Sequence, residues 1–373
     1  VIESQALTIL CDAARTPLSG WTARYQGYRA MGYLCSYVPE EMIHAAGYTP
    51  VRLRGTTRPL SQVDAHLQSF TCALCRSTLD QLLGGELGFL AGTVFSHTCD
   101  TMQAQADLWR MNNQPSYYVD TVMQPSNLGA PSARPYLIAE LRRFGERLAS
   151  FSGQPITAAA LQASISLYDE TRQLVRALQD ARDRLPATAY FAILDAAQRM
   201  PREEFNPLLA GLLSSLEAES RGSERGPTGR APRLFLVGAV LDEPRLLEII
   251  EELGARVAGD DLCSGSRHFL DLIGAGGDPF ERLAETYLRR PPCPTKLHPD
   301  HNPGRHLLEQ ASKVRADGIL FALEKFCEPH AFDYALVRPA LEEAGIPHLL
   351  LEMEQTPSLE ALRTRLQAFI EIL

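Results

Sequence analysis

Short apolar runs that end at a cysteine and pass into helical spacing constrain this chain more than any other feature. The clearest is D-G-I-L-F-A-L-E-K-F-C-E-P-H-A-F-D-Y at residues 317–334. Residues 319–323 form an apolar run between Gly318 and the pair Glu324 and Lys325, the pattern of a buried strand. Pro329 ends pairing at its own nitrogen. From Phe332 the apolar positions Leu336, Leu341 and Ala344 follow helical spacing. Cys327 therefore falls where a core strand passes into a helix. In open α/β sheets that carboxyl edge is where ligands bind.

The same grammar recurs along the chain. Strands are predicted at 28–34, 51–53, 89–95 and 117–122, with helices at 2–14, 40–46, 72–83 and 101–110. Cys35 and Cys99 follow strands, and Cys72 opens a helix. From 132 to 219 only helical periodicity is visible, at 137–151, 158–185, 187–200 and 203–216. The stretch R-G-S-E-R-G-P-T-G-R-A-P then reads as a linker. A second alternating unit has strands at 234–240, 256–258, 319–323 and 348–352, and helices at 244–253, 268–274, 279–288, 304–314 and 359–373. Cys263 follows one of these strands, and Cys293 lies in a proline-rich loop. Alternating strand and helix predicts parallel, doubly wound sheets. The expected organisation is an N-terminal α/β domain over 1–131, a helical segment and linker over 132–228, and a C-terminal α/β domain over 229–373. Two or three domains suit 373 residues.

Charge and cysteine usage narrow the function. A net charge of −9 argues against a nucleic-acid binder. No apolar run is long enough to span a membrane, and no signal peptide is visible at the start, so a cytoplasmic enzyme is expected. Eight cysteines spread from Cys11 to Cys327 do not resemble a disulfide scaffold. Cys11 lies inside a helix and Cys75 one turn into another, and both are set aside. Cys35, Cys72, Cys99, Cys263, Cys293 and Cys327 remain, three in each α/β unit, placed as ligands facing a cleft.

Thiolates select zinc, copper(I) or iron–sulfur clusters. Structural zinc usually shows paired Cys-x-x-Cys knuckles, and only Cys72 and Cys75 have that spacing. Dispersed single cysteines fit an iron–sulfur cluster assembled from both units. His97, His268, His298, His301 and His330 lie near these cysteines and read as surface or supporting residues. There is no dinucleotide, Walker or serine-elbow motif, so ATP chemistry would come from a partner. A metal-free or zinc-bound structural protein is the reading from another class.

The pieces C-S-Y-V-P-E-E-M-I-H-A-A-G at Cys35, C-A-L-C-R-S at Cys72, H-T-C-D at Cys99, D-D-L-C-S-G-S-R-H-F at Cys263 and K-F-C-E-P-H-A-F-D-Y at Cys327 resemble the family of 2-hydroxyacyl-CoA dehydratase and benzoyl-CoA reductase subunits. The resemblance implies two α/β domains with a 4Fe–4S cluster in the cleft, held by the positions matching Cys72, Cys99 and Cys327. It implies anaerobic electron transfer from a separate homodimeric iron–sulfur ATPase. Cys35, Cys263 and Cys293 exceed what one such cluster needs. Six cysteines are similar to the double-cubane branch, whose 8Fe–9S centre is held by six thiolates in a homodimer that reduces small molecules. The alternative is a dehydratase or aryl-CoA reductase subunit with a single 4Fe–4S cluster and an acyl-CoA substrate. Arg76, Arg267, Lys325 and His330 are candidates for positive charge or hydrogen bonds to the cluster.

Overall fold

The computed structural model describes residues 4–220 and 231–373. Residues 2 and 3 of the expected first helix, and most of the expected linker, lie outside the described residues. In chain order the strands are β1 (Ala30–Tyr33), β2 (Thr49–Arg52), β3 (Leu90–His97), β4 (Tyr118–Met123), β5 (Arg233–Gly238), β6 (Arg256–Leu262), β7 (Gly318–Glu324) and β8 (His348–Met353). They form two four-stranded sheets, ordered β2-β1-β3-β4 and β6-β5-β7-β8. Every strand pairing is parallel. The two sheets are thus wound in the same order, and the fold is α/β with two doubly wound parallel sheets.

Parallel sheets are covered on both faces, so their central strands read as continuous apolar runs. β7, G-I-L-F-A-L-E, is buried along all but its last residue. Pro50 is tolerated inside β2 because β2 is an edge strand. Connections diverge between β1 and β3, and again between β5 and β7. Each divergence leaves a crevice at the carboxyl ends.

Helices Ala133–Ser152, Ala158–Asp180, Ala187–Ala197 and Arg202–Ser220 fill the middle of the chain. Val175, Tyr190, Ile193, Phe205 and Leu209 from these helices share one core with Trp21, Leu79 and Phe95 of the first unit. Phe280, Leu283 and Tyr287 of the helix Pro279–Arg289 pack with Met42 and Phe144 in a second core. The second sheet has its own two layers, one around Leu236 and Leu320, the other around Phe235 and Phe321. None of the described helices is long and apolar enough to cross a membrane.

Three elements differ from their sequence-based expectation. β6 runs on through Gly259, Asp260 and Asp261, residues with poor strand propensity. Ion pairs reverse that preference: Asp260 meets Arg182 at 2.8 Å and Asp261 meets Arg267 at 2.6 Å. Instead of a helix at 268–274 there is a short 3-10 turn, Ser266–Phe269. The helix after Cys327 starts at Glu328, four residues before Phe332, because Pro329 sits in its first turn, where no backbone N–H is needed.

Candidate functional site

Three cysteines cap helix N-termini, two of them just after strands. Cys72, Cys99 and Cys327 are the residues immediately before the helices Ala73–Leu83, Asp100–Met111 and Glu328–Glu343. A sulfur there faces unpaired backbone N–H groups and the positive end of the helix dipole. The N–H groups of Leu74 and Cys75 lie toward Cys72, and that of Met102 toward Cys99. Cys35 follows β1, and the N–H of Tyr37 lies toward its sulfur. Cys263 follows β6 directly. Cys293 is buried in the loop after the helix Pro279–Arg289.

These thiols face one another across the seam between the two units. Cys263 and Cys293 interact electrostatically, and Cys35 interacts in the same way with both. Cys99 interacts in the same way with Cys72 and Cys327, and also with Cys35. His330 lies between the two groups: Nδ1 is 3.3 Å from Cys327 Sγ, and Cys263 is its second thiol neighbour. All eight cysteines are free. Cys11 stands apart, with Arg15 and Asp12 as its charged neighbours. Cys75 is a buried core residue with Cys72, Cys99 and Cys327 as its thiol neighbours.

The seam is sewn by buried polar contacts. Arg52 donates to the Cys263 carbonyl at 2.6 Å and to Gln198 Oε1 at 2.7 Å. Ser36 Oγ donates to the same carbonyl at 2.9 Å, and Arg290 donates to the Ser36 carbonyl at 3.0 Å. The Cys293 N–H donates to Tyr37 Oη at 3.4 Å. Nearby, Glu40 accepts from Tyr33, Arg202 and His268.

Individual sulfurs have their own donors. Arg267 Nη1 is 3.5 Å from Cys263 Sγ, Thr295 Oγ1 is 3.5 Å from Cys293 Sγ, and Thr98 Oγ1 is 3.8 Å from Cys35 Sγ. The Cys293 thiol beside it, together with Arg267, holds the Cys263 thiol well below its ordinary range. Burial pushes Cys35 up, and pushes Cys99 up to about 12. Burial alone would lower His330, but its contacts with Cys263 and Cys327 outweigh that and raise it to about 10.

Two of the four supporting candidates pair with carboxylates. Lys325 pairs with Glu354 at 2.6 Å on the surface, and Arg76 pairs with Asp64. Arg267 and His330 are the two that touch thiols. Lys296, which the sequence did not single out, interacts with Cys35, Cys293 and Cys99 and donates to the His97 carbonyl at 3.3 Å. Thr98 and Thr295 were also missed, although each stands one or two residues from a cysteine, a signal that was available. Arg52 left no local signal, lying 211 residues from its partner Cys263. His268 belongs to the Glu40 network. His301 and His306 face each other at 5.2 Å, and His298 Nδ1 accepts from the Asp300 N–H.

Among the described residues, no three His, Cys, Asp or Glu side chains are grouped to share a single metal ion. Thiolates that bind separate irons of a polynuclear cluster stand farther apart than the ligands of one ion. The donor set suits such a cluster in a second respect. His330 is 5% exposed, and its Nε2 has no hydrogen-bond partner among the described residues. An orphaned buried polar group costs about 1–3 kcal/mol, a cost that a sulfide acceptor would remove.

The family model described as 2-hydroxyglutaryl-CoA dehydratase, D-component, matches residues 35–373. The chain is 30% identical to the (R)-phenyllactyl-CoA dehydratase beta subunit of Clostridium sporogenes, over 93% of this chain and 92% of the relative. It is 29% identical to the beta subunit of lactoyl-CoA dehydratase of Anaerotignum propionicum, with the same coverage. It is 27% identical to a benzoyl-CoA reductase subunit of Thauera aromatica, over 96% and 95%. With nearly its whole length matched in this way, the chain belongs to the 2-hydroxyglutaryl-CoA dehydratase D-component family of enzymes.

Proposed function

We propose that Cys35, Cys72, Cys99, Cys263, Cys293 and Cys327 hold a double-cubane 8Fe–9S cluster, and that the chain is the reductase component of a two-component system. Its partner would be a homodimeric iron–sulfur ATPase that delivers low-potential electrons, and its substrate a small molecule. The working form would be a cytoplasmic homodimer. The observation that carries this reading is the meeting of two thiol trios, Cys72, Cys99 and Cys327 with Cys35, Cys263 and Cys293, around His330.

When bound, the cluster would store electrons and pass them to substrate. The protein's part is positioning and charge. The N-termini that Cys72 and Cys99 cap and the turn after Cys35 direct N–H groups toward sulfurs, which favours the thiolate form. Arg267, Thr98 and Thr295 donate to sulfurs of the second trio. Such donors, with Lys296, offset negative charge and tune the potential. His330, with Nδ1 3.3 Å from Cys327 Sγ and a buried Nε2 that has no partner among the described residues, would be a hydrogen-bond donor to the cluster.

A second reading is favoured by the names of the relatives, which are dehydratase beta subunits and a reductase subunit. Under it Cys72, Cys99 and Cys327 hold a single 4Fe–4S cluster, and a different partner chain completes an enzyme acting on an acyl-CoA. Iron and acid-labile sulfide per chain, measured on protein purified without oxygen, separate the two. The double-cubane reading expects about eight irons, falling by about half in Cys263→Ser. About four irons, unchanged by that substitution, would move the assignment to the single cluster.

A further inference from the structure

Cations gather at the amino edge of the second sheet, the end away from the thiols. Arg233 and Arg256 are the first residues of β5 and β6, and Arg315 stands just before β7. Two cavities open there, of about 510 and 650 Å³, and Asp183 lines both. Arg182, Arg184 and Arg256 line the first, and Arg233, Lys313 and Arg315 line the second. The lining carboxylates are Asp183 and Glu251, fewer than the cations, in a chain whose net charge is −9. Both are engaged: Asp183 pairs with Arg233 at 3.0 Å, and Glu251 accepts from the Ala187 N–H at 2.6 Å. Nearby Asp317 accepts from the Arg233 N–H at 2.9 Å. Arg182 pairs with Asp260. The other cations have weaker partners or none. Arg184 and Arg256 donate to the carbonyls of Leu216 and Asp183. The exposed side chains of Lys313 and Arg315 make no ion pair or hydrogen bond among the described residues.

Arg315 adds an independent observation. It follows the helix Pro303–Lys313 by two residues in left-handed backbone, φ 52°. Glycine is the usual residue in that place. Among the described residues, every other left-handed position but Phe326 is a glycine. A strained backbone kept for a side chain with no partner points to a use outside the chain. A helix C-terminus favours a nearby cation, but Lys313 in the last turn already supplies one, and Arg233 and Arg256 start strands.

We propose that this edge binds a small polyphosphate, either the free inorganic anion or the phosphate tail of a nucleotide. Guanidinium groups match phosphate oxygens two at a time. Two cation-lined cavities on either side of Asp183 suit a chain of phosphates better than a single anion. β6 is seven residues long and separates this edge from Cys263 by about 20 Å. The site is therefore distinct from the thiol seam and independent of the iron–sulfur reading.

The test is titration calorimetry on the full chain at constant ionic strength, with inorganic tripolyphosphate, ATP and sulfate as probes. Tripolyphosphate should bind more tightly than sulfate. Lys313→Gln and Arg315→Gly should each weaken it about tenfold or more. Arg315→Gly also relieves the backbone, so its melting temperature without anion should rise while its affinity falls. ATP binding as tightly as tripolyphosphate would support the proposal with a nucleotide tail as the ligand, and binding of tripolyphosphate alone would support it with the free anion. The proposal is overturned if tripolyphosphate binds no better than sulfate. It is equally overturned if both variants shift the melting temperature but keep wild-type affinity, the result of a purely structural role. Neither outcome depends on iron content, so the metal assignment is judged separately.

Discussion

His268 is 4% exposed, and its Nε2 lies 2.6 Å from Glu40 Oε2. A carboxylate needs a donor, so Nε2 carries the proton and the buried Nδ1, which has no partner among the described residues, is bare. A second proton would have to enter at Nδ1. Burial therefore lowers His268 to about 4; Glu40 opposes the shift, while Arg52 and Arg202 add to it. Tyr33 stacks on the ring and Phe269 meets its edge. An unfolded histidine titrates near 6.5. Between about 6.5 and 4 the unfolded chain binds the extra proton, so stability is fully present above that window and lost as pH falls through it. The loss from pH 7 to pH 5 is on the order of 2 kcal/mol. Glu40 is buried but held well below the usual carboxylate range by His268 and Arg202, so it titrates under this window and does not mask it. Urea unfolding at the two pH values should show the drop in the wild type and a flattened response in His268→Gln. An equal drop in the variant would assign the acid sensitivity to other groups.

At the scale of single elements, the stretch that contains β7 is readable from sequence because a doubly covered strand must be apolar throughout. β6 extends further than its sequence suggests. Its acidic residues look like loop until Arg182 and Arg267, one of them 78 residues away, neutralise them. The placement of Cys263 at a strand's carboxyl end is unaffected, because the longer β6 carries the strand to Leu262. Close backbone approach leaves no sequence signal either. Gly238 ends β5, and a Cβ built there collides with the Ala322 carbonyl oxygen and meets Leu262 at 3.3 Å. β5 and β7 pair as far as Val237 with Phe321, beside the crevice between them. Gly238→Ala must push the strands apart or strain them, and overpacking of this kind costs about 1–3 kcal/mol. Chemical denaturation should show that loss. Stability within about 0.5 kcal/mol of wild type would mean that the strand ends shift freely.

Across the whole molecule, the repeated winding order explains why the thiols meet. Each sheet presents its carboxyl edge; the first unit brings Cys35, Cys72 and Cys99, the second sheet brings Cys263 and Cys327, and Cys293 comes from the loop after Pro279–Arg289, packed in the core around Tyr33 and Tyr37. The placement of Cys35, Cys99, Cys263 and Cys327 just after strands was legible, since a strand end is a local pattern. What holds the edges in register was not legible, because it depends on pairs far apart in the chain. Arg52 is the clearest such pair-former. It is 2% exposed and joins Gln198 of the helical segment to the Cys263 carbonyl of the second unit. Arg52→Met would keep the bulk of the side chain, leave Gln198 Oε1 without that donor and leave the Cys263 carbonyl with Ser36 alone. The lost donor at Gln198 costs about 1–3 kcal/mol, and that loss falls on the seam rather than on either sheet. The wild type should therefore unfold in one thermal transition, and Arg52→Met in two, with the second sheet's amides exchanging hydrogen separately from the first's. If the variant still unfolds in one step with little loss of stability, the shared cores around Phe144 and Phe280 hold the units together, and Arg52 only orients the Cys263 turn.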